Sequence, residues 1–489
     1  MRTCFPAGGT ADGGATSVTT PPQAVPVAPP IRLTPGVAAP APAPGSAPQK
    51  MPFHVLAKPT GAICNLDCTY CFFLSKEELY PGDRFRMPDD LLELYLTQLL
   101  ESEPDGDVTV AWQGGEPTLM GVEFFRRVVE TAERLRRPTQ HLHHTIQTNG
   151  TLLTDEWATL LAEHRFLVGV SIDGPPDLHD RYRVDKHGRP SSERVLRGLE
   201  LLQRHGVDVN ILCTVHAGNQ DHPLEVYRYF RDDLGVGFIQ FIPIVERIES
   251  ARDAAEQAVA REAAEQAATS AGTNGMHGPD GPGSGAPVTD RSVDPEAWGR
   301  FLTTVFDEWF RNDMGDVFVQ LFDASLAAWC AIPSPMCIFS ETCGRGLALE
   351  HNGDVYSCDH FVEPEHLLGN IRTTHLADLV SSPAQRAFGQ AKADSLPQMC
   401  RSCDFRFACH GECPKNRIIT TPDGEAGLNY LCAGYLAFWR HVDGPMRLMA
   451  RLLAAGRPAT DVAAVIAAAG RNDPCPCGSG RKAKLCHQR

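Results

Sequence analysis

Apolar and polar positions change their period several times along this chain, and the changes divide it. Residues 1–50 have no period. They are mostly Pro, Ala, Gly and Thr, a composition that cannot build a core, so a disordered tail is expected. From Met51 onward, apolar runs of strand length alternate with amphipathic stretches of helix length. His54-Val55-Leu56-Ala57 predicts a strand. Asp89 to Glu101 repeats apolar residues at helical spacing behind a Pro88-Asp89 start signal. Val108 to Trp112 predicts a strand ending in Gly114-Gly115, Phe124 to Leu135 a helix, and His144 to Gln147 a strand ending in Asn149-Gly150. Leu167 to Ile172 is a further strand, ending in Asp173-Gly174. Arg194 to His205 is a helix, and Val209 to Thr214 and Gly237 to Phe241 are two more strands. This alternation predicts an α/β fold with a parallel sheet and right-handed crossovers over 51–250. In such barrels the loops at the carboxyl ends of the strands build the active site. The glycines and polar residues just named fall at those ends.

The alternation breaks at residue 251. Ala251 to Ala268 is Ala/Glu-rich and Thr269 to Pro287 is rich in Gly, Ser and Pro, so 251–293 reads as a flexible insertion. Asp294 to Phe310 resumes an amphipathic helix within a helical connection, 294–336. Residues 337–440 are cysteine-rich, 441–470 read as helices, and 471–489 form a small separate cysteine unit. No run of eighteen apolar residues is present, so no membrane span is expected. The start of the chain lacks the apolar segment of a secretory signal, which points to the cytoplasm. Lys and Arg number 45 against 60 Asp and Glu, a net charge of −15. That excludes nucleic acid as a main partner, because no basic footprint offsets phosphate.

Seventeen cysteines change the picture most. Without an export signal, close spacing reads as metal binding rather than disulfides. Cys64, Cys68 and Cys71 form a C-x3-C-x2-C. Three thiolates on one loop suit three irons of a [4Fe–4S] cluster and leave the fourth iron open to a ligand. A zinc loop with a remote fourth ligand uses the same residues. Eight more, Cys337, Cys343, Cys358, Cys400, Cys403, Cys409, Cys413 and Cys432, complete two four-ligand sites, as clusters or as structural zincs. Spacing fixes neither the metal nor the pairing. Cys475, Cys477, Cys486 and His487 offer a closed tetrahedral zinc site. Cys213 lies in an apolar strand and reads as core. A Walker loop, a HExxH and a GxSxG elbow are absent from the sequence.

The C-x3-C-x2-C after a first strand resembles the radical S-adenosylmethionine (SAM) superfamily. The fold so implied is a partial (β/α)6 TIM-like barrel. In that superfamily the open iron chelates SAM, which is cleaved to a 5′-deoxyadenosyl radical. Gln113-Gly114-Gly115-Glu116-Pro117 resembles the motif that binds the methionine amino group, although Gly114-Gly115 is also an ordinary turn signal. Ser171 and Arg183 match the residues that contact the SAM ribose and carboxylate; a surface arginine is the plainer alternative. The later cysteines resemble the SPASM extension with two auxiliary [4Fe–4S] clusters. That resemblance implies one cluster on Cys337, Cys343, Cys358 and Cys413 and another on Cys400, Cys403, Cys409 and Cys432, three clusters in all.

From about Pro52 to about Trp439 the chain is most similar to anaerobic sulfatase-maturating enzymes. Lys58-Pro59, Cys64 to Phe73, Gln113 to Leu119, Gln147 to Leu152, Phe166 to Pro175 and Cys358-Asp359 carry the likeness. The resemblance implies oxidation of a Cys or Ser in a sulfatase peptide to Cα-formylglycine. Asp359 matches the family's base, and an auxiliary cluster would carry the released electron. A sulfatase polypeptide and an electron donor such as flavodoxin or ferredoxin are the implied partners. One departure is Phe73, where the family often has Tyr. Residues 471–489 resemble the zinc-binding tail of the translocase motor SecA. Two other readings use the same residues: a SPASM maturase that crosslinks or epimerises a ribosomal peptide, and a zinc-rich adaptor without activity.

Overall fold

The computed structural model describes residues 53–248, 288–478 and 480–486. Six parallel strands make the first domain: β1 (His54–Lys58), β2 (Gly106–Trp112), β3 (Gln140–Thr148), β4 (Leu167–Ser171), β5 (Asp208–Val215) and β6 (Phe238–Pro243). They lie side by side in chain order, with helices in the crossovers. The helix Asp89–Ser102 begins where the sequence predicts it, with Asp89 and Asp90 in its first turn, where the helix dipole favours acids. It buries Leu91, Leu92, Tyr95, Leu96 and Leu99. The helix Val122–Leu135 sets Phe124 and Phe125 edge-on to Trp112 of β2, each at 5.7 Å.

The sheet does not stop at six strands. β7 (Phe318–Val319) adds in parallel beyond β6. β8 (Gly346–Glu350), from the cysteine-rich region, pairs in parallel with β1 on its other side, Lys58 opposite Glu350. β9 (Asp354–Tyr356) and β10 (Leu367–Asn370) continue antiparallel, giving one ten-stranded sheet that both domains share.

Several elements differ in extent from the sequence prediction. β3 starts at Gln140 rather than His144, because it pairs with β2 from Gly106 opposite Gln140 to Trp112 opposite Ile146. Its exposed positions carry His141 and His143, so an apolar pattern begins late. The C-terminal helix begins at Cys432, inside the cysteine-rich domain, and runs to Ala454. Its buried positions Tyr435, Phe438, Trp439, Val442, Met446 and Met449 keep one helical face across the expected boundary at 440. Gly434 of this helix meets Gly299 of the helix Pro295–Asn312 so closely that a Cβ at 434 would stand 2.1 Å from Pro295 O. The expected insertion lies mostly outside the described residues. Its last six residues, 288–293, return to the first domain: Thr289 N donates to Glu246 O (2.8 Å) and Val293 N to Ile244 O (3.0 Å). Arg291 also pairs with Glu246 at 2.9 Å. Cys213 is buried, as expected. Among the described residues no helix is long and apolar enough to cross a membrane.

Candidate active site and cysteine centres

The chain leaves β1 at Lys58 and turns through Gly61, whose φ is +50°, into the loop of Cys64, Cys68 and Cys71. Two other loops clamp it. Gly115 N donates to Gly61 O (2.8 Å) and Glu116 N to Ile63 O (2.9 Å). On the other side Asp67 N donates to Val184 O (2.8 Å) and Thr69 N to Tyr182 O (3.0 Å). Gly114 and Gly115 are needed for the first contact. A Cβ on Gly115 would lie 2.1 Å from Ile63 O, and one on Gly114 2.9 Å from Gly61 O. The close approach these glycines allow is therefore to the cysteine loop. Burial pushes the Cys64 thiol up to about 12, with the Glu116 charge adding to it. Burial pushes Cys68 to about 11 against the pull of Arg183. Such thiols lose their protons to a bound cation rather than to water.

Glu116 is wholly buried at the end of β2. Its Oε1 accepts from Thr118 N (3.0 Å), Thr118 Oγ1 (2.5 Å) and Thr148 Oγ1 (2.8 Å), and its Oε2 from Asn149 N (2.7 Å). The carboxylate ties the end of β2 to the end of β3, and any ammonium it holds must use Oε2. Asn149 in turn donates to Asn65 Oδ1 (2.9 Å) and lies 3.6 Å from Cys64 Sγ. The turn after β3 is thus fastened to the cysteine loop. Gln147 Nε2 donates to Ser171 Oγ at 2.9 Å, in space left by Gly169. Gln113 is half-buried beside them, its N–H donating to Ala57 O (2.9 Å).

Arg183 is not a surface residue. It is buried, with Nε donating to Asp173 Oδ2 (2.8 Å) and Nη2 to Thr214 Oγ1 (3.2 Å). Asp173 Oδ2 also accepts from Tyr70 Oη (2.5 Å), and Oδ1 from Thr214 N (2.9 Å). Burial alone would raise the Asp173 pKa; Arg183 and His216 outweigh it and hold the carboxyl well below its ordinary range. Tyr70, Thr214 and His216 were missed from the sequence. Tyr70 stands inside the cysteine motif, and Thr214-Val215-His216 is the polar end of an apolar strand, which is the signal that could have found them.

β9 leads to Cys358 and Asp359. Asp359 pairs with Lys58. Burial works to raise its pKa, and Lys58 with His360 and Lys415 overcomes this, so the carboxyl stays low.

The later cysteines fall into two groups. Cys358 is influenced by Cys337 and Cys343, and Cys413 by Cys358 and Cys343. Cys409 is influenced by Cys432 and Cys400, and Cys432 by Cys400 and Cys403. The helix Pro383–Asp394 supports the first group along one face. Gln385 Nε2 donates to Gly344 O and Ser357 O, both at 3.0 Å. Gly389 O accepts from Cys343 N (3.0 Å). Lys392 Nζ donates to Cys337 O (2.9 Å) and Ile338 O (2.8 Å). No spacing or motif in the sequence marks these three residues.

In the tail, Cys477 and Cys486 sulfurs are 3.7 Å apart. A tetrahedral zinc with Zn–S near 2.3 Å draws thiolates to about 3.8 Å. With Cys475 they are the one trio of Cys, His, Asp or Glu ligand atoms within 4.8 Å of one another among the described residues. His487 lies outside the described residues. The tail rests on the C-terminal helix: Arg451 Nη2 donates to Pro476 O (3.0 Å), and a Cβ on Gly444 would stand 2.9 Å from Cys477 O.

Comparison with known proteins agrees with this geometry. Residues 59–230 match the radical SAM superfamily, 337–404 an iron-sulfur cluster-binding domain, and 471–489 the SEC-C motif. A serine-type anaerobic sulfatase-maturating enzyme of Bacteroides thetaiotaomicron is 43% identical over 83% of this chain and 93% of its own. The chain belongs to the anaerobic sulfatase-maturating enzyme family. A cysteine-type relative from Clostridium perfringens is 30% identical over 80% of this chain and 96% of its own. The solved structure of native anSMEcpe with bound AdoMet and Cp18Cys peptide is 29% identical. It covers 82% of this chain and 100% of its own, with a TM-score of 0.68. This protein is therefore a radical SAM enzyme whose domains use [4Fe–4S] clusters and SAM.

Two variants test the scaffolding. Gly115→Ala forces its Cβ against Ile63 O, an overpacking cost of about 1–3 kcal/mol. The purified protein is expected to lose the irons of the first site, about four, and SAM cleavage with them. Lys392→Met leaves two loop carbonyls unpaired. Iron analysis is expected to fall by about four per chain while SAM cleavage continues.

Proposed function

We propose that this enzyme oxidises the side chain of a serine or cysteine in a sulfatase peptide to Cα-formylglycine. The observation that supports this most is the ion pair between Lys58, at the root of the first cysteine loop, and Asp359, beside Cys358. It brings a carboxylate of the second domain to the root of the SAM-type loop. In this reading Cys64, Cys68 and Cys71 hold the first cluster. Gln113, Gly114, Gly115, Glu116, Ser171 and Arg183 surround SAM. Cys337, Cys343, Cys358 and Cys413 hold one auxiliary cluster, and Cys400, Cys403, Cys409 and Cys432 the other.

Cys64, Cys68 and Cys71 would hold the cluster that, with SAM, would supply hydrogen-atom abstraction at the target Cβ, and the auxiliary clusters would supply acceptors for the remaining electron. The oxidation removes two electrons and two protons in total, so one proton must go to a protein group. Asp359 is the acceptor, taking it from the hydroxyl or thiol; serine then gives the aldehyde directly, whereas cysteine gives a thioaldehyde that water converts to the aldehyde with release of hydrogen sulfide. The buried ties of Glu116 and Asp173 set the surrounding loops before the peptide arrives, so little reorganisation is needed. A small electron-carrier protein such as flavodoxin or ferredoxin is the partner this chemistry requires, and the many thiols suit the reducing cytoplasm. Zinc in the tail, on Cys475, Cys477, Cys486 and His487, belongs to the same reading.

The test is mass spectrometry of serine and cysteine sulfatase peptides after anaerobic incubation with SAM and reductant. A mass change matching the aldehyde is expected from the wild type. Epimerisation or a crosslink instead would assign the enzyme to other peptide maturases. Asp359→Asn is expected to cleave SAM yet lose aldehyde formation by about 10²-fold or more; formation at the wild-type rate would remove Asp359 from the role. Cys477→Ser is expected to lose one equivalent of zinc while iron content stays unchanged, as metal analysis of the purified protein would show.

A further inference from the structure

Lys58 is only 1% exposed. A buried ammonium is costly unless its surroundings compensate it, and two groups do so. Its Nζ pairs with Asp359 Oδ1. It also lies 3.9 Å from the ring centroid of Phe73, close enough for a strong cation–π attraction. Phe73 follows Cys71 by two residues and is itself buried, packed with Ala62, Ala348, Tyr356 and Val362. One ammonium thus touches the cysteine loop and the segment after Cys358 while belonging to β1. Two further basic groups face Asp359, Lys415 and His360, and both are engaged elsewhere. Lys415 Nζ sits 4.2 Å over the Phe72 ring, and His360 Nδ1 is 3.6 Å from Cys413 Sγ.

We propose that Lys58, backed by the face of Phe73, is a positioning residue for the oxidation. It holds Asp359 through Oδ1 and leaves Oδ2 as the atom that accepts the substrate proton. This rests on the reading of Asp359 as the base. It also explains the departure at 73. The position needs an aromatic face against Lys58, and phenylalanine supplies that without a hydroxyl.

The experiment uses the full-length, cluster-reconstituted enzyme and counts three quantities: iron per chain, 5′-deoxyadenosine formed, and aldehyde formed on a sulfatase peptide. Lys58→Met is expected to keep wild-type iron and SAM cleavage, while aldehyde per deoxyadenosine falls about 10- to 100-fold, the cost of a misplaced group. Lys58→Arg, which keeps a cation for both partners, is expected to recover much of that ratio. Phe73→Leu is expected to lower the ratio in the same direction, and Phe73→Tyr to keep it. An unchanged ratio in Lys58→Met overturns the proposal, as does a lowered ratio that Lys58→Arg leaves equally low. Should Lys58→Met fail to load iron, Phe73→Leu decides, because it keeps the ion pair and removes only the ring; an unchanged ratio there overturns the proposal. Failure of the wild type to form any aldehyde is a separate result, which refutes the reading of the reaction before any variant is made.

Discussion

β1 has a neighbour on each side, and the two neighbours come from different domains. β2 brings the Gly114-Gly115 loop to one flank of the first cysteine loop, and β8 brings the second domain to the other. Parallel pairing makes all three strands finish at the same edge. With Lys58 opposite Glu350, the loop after β1 and the chain after β8 emerge together. β9 then runs back antiparallel beside β8, and the segment after it brings Asp359 to Lys58. Removing one partner of a buried ion pair leaves an uncompensated charge and costs about 3–5 kcal/mol. The pair therefore fastens the segment after Cys358 to the end of β1.

Two buried carboxylates do comparable work at other strand ends. Glu116 collects N–H and hydroxyl donors from Thr118, Thr148 and Asn149 and joins β2 to β3. Asp173 collects Tyr70, Arg183 and Thr214 and joins the end of β4 to β5 and to the cysteine loop. A charge in such a place is tolerated only when nearly every lone pair is used. Once used, it fixes loops that would otherwise be free to move. The cysteine loop is held on one flank by glycine-permitted backbone contact and on the other by the Asp173 network.

The strands and helices of the first domain were legible because each carries its own apolar period, and the cysteine motifs because their ligands are close in sequence. Other features were hidden for physical reasons. The glycines of 114–115 carry only a motif and turn signal in the sequence; the backbone they approach lies some fifty residues earlier, and no local pattern reveals that. The helix Pro383–Asp394 went unread because the face it turns to the cysteines is Gln385, Gly389 and Lys392, which is polar and small rather than apolar. The early start of β3 was masked by histidines at exposed positions. Spacing alone left the grouping of the eight later cysteines open; the folded chain separates them into two sets because Cys413 reaches back to Cys358 and Cys343.

The C-terminal helix carries this logic to the end of the chain. Cys432, its first residue, lies near Cys400 and Cys403. Two residues on, Gly434 is pressed against Gly299, so the position of Cys432 depends on a backbone contact with the helix that follows the first domain. Ten residues further, Gly444 lies under Cys477 of the tail. At 1.5 Å per residue, Cys432 and Gly444 are about 18 Å apart on one rod. A side chain at either glycine would drive the helix from its neighbour. The tail is thus seated on the helix that begins at Cys432.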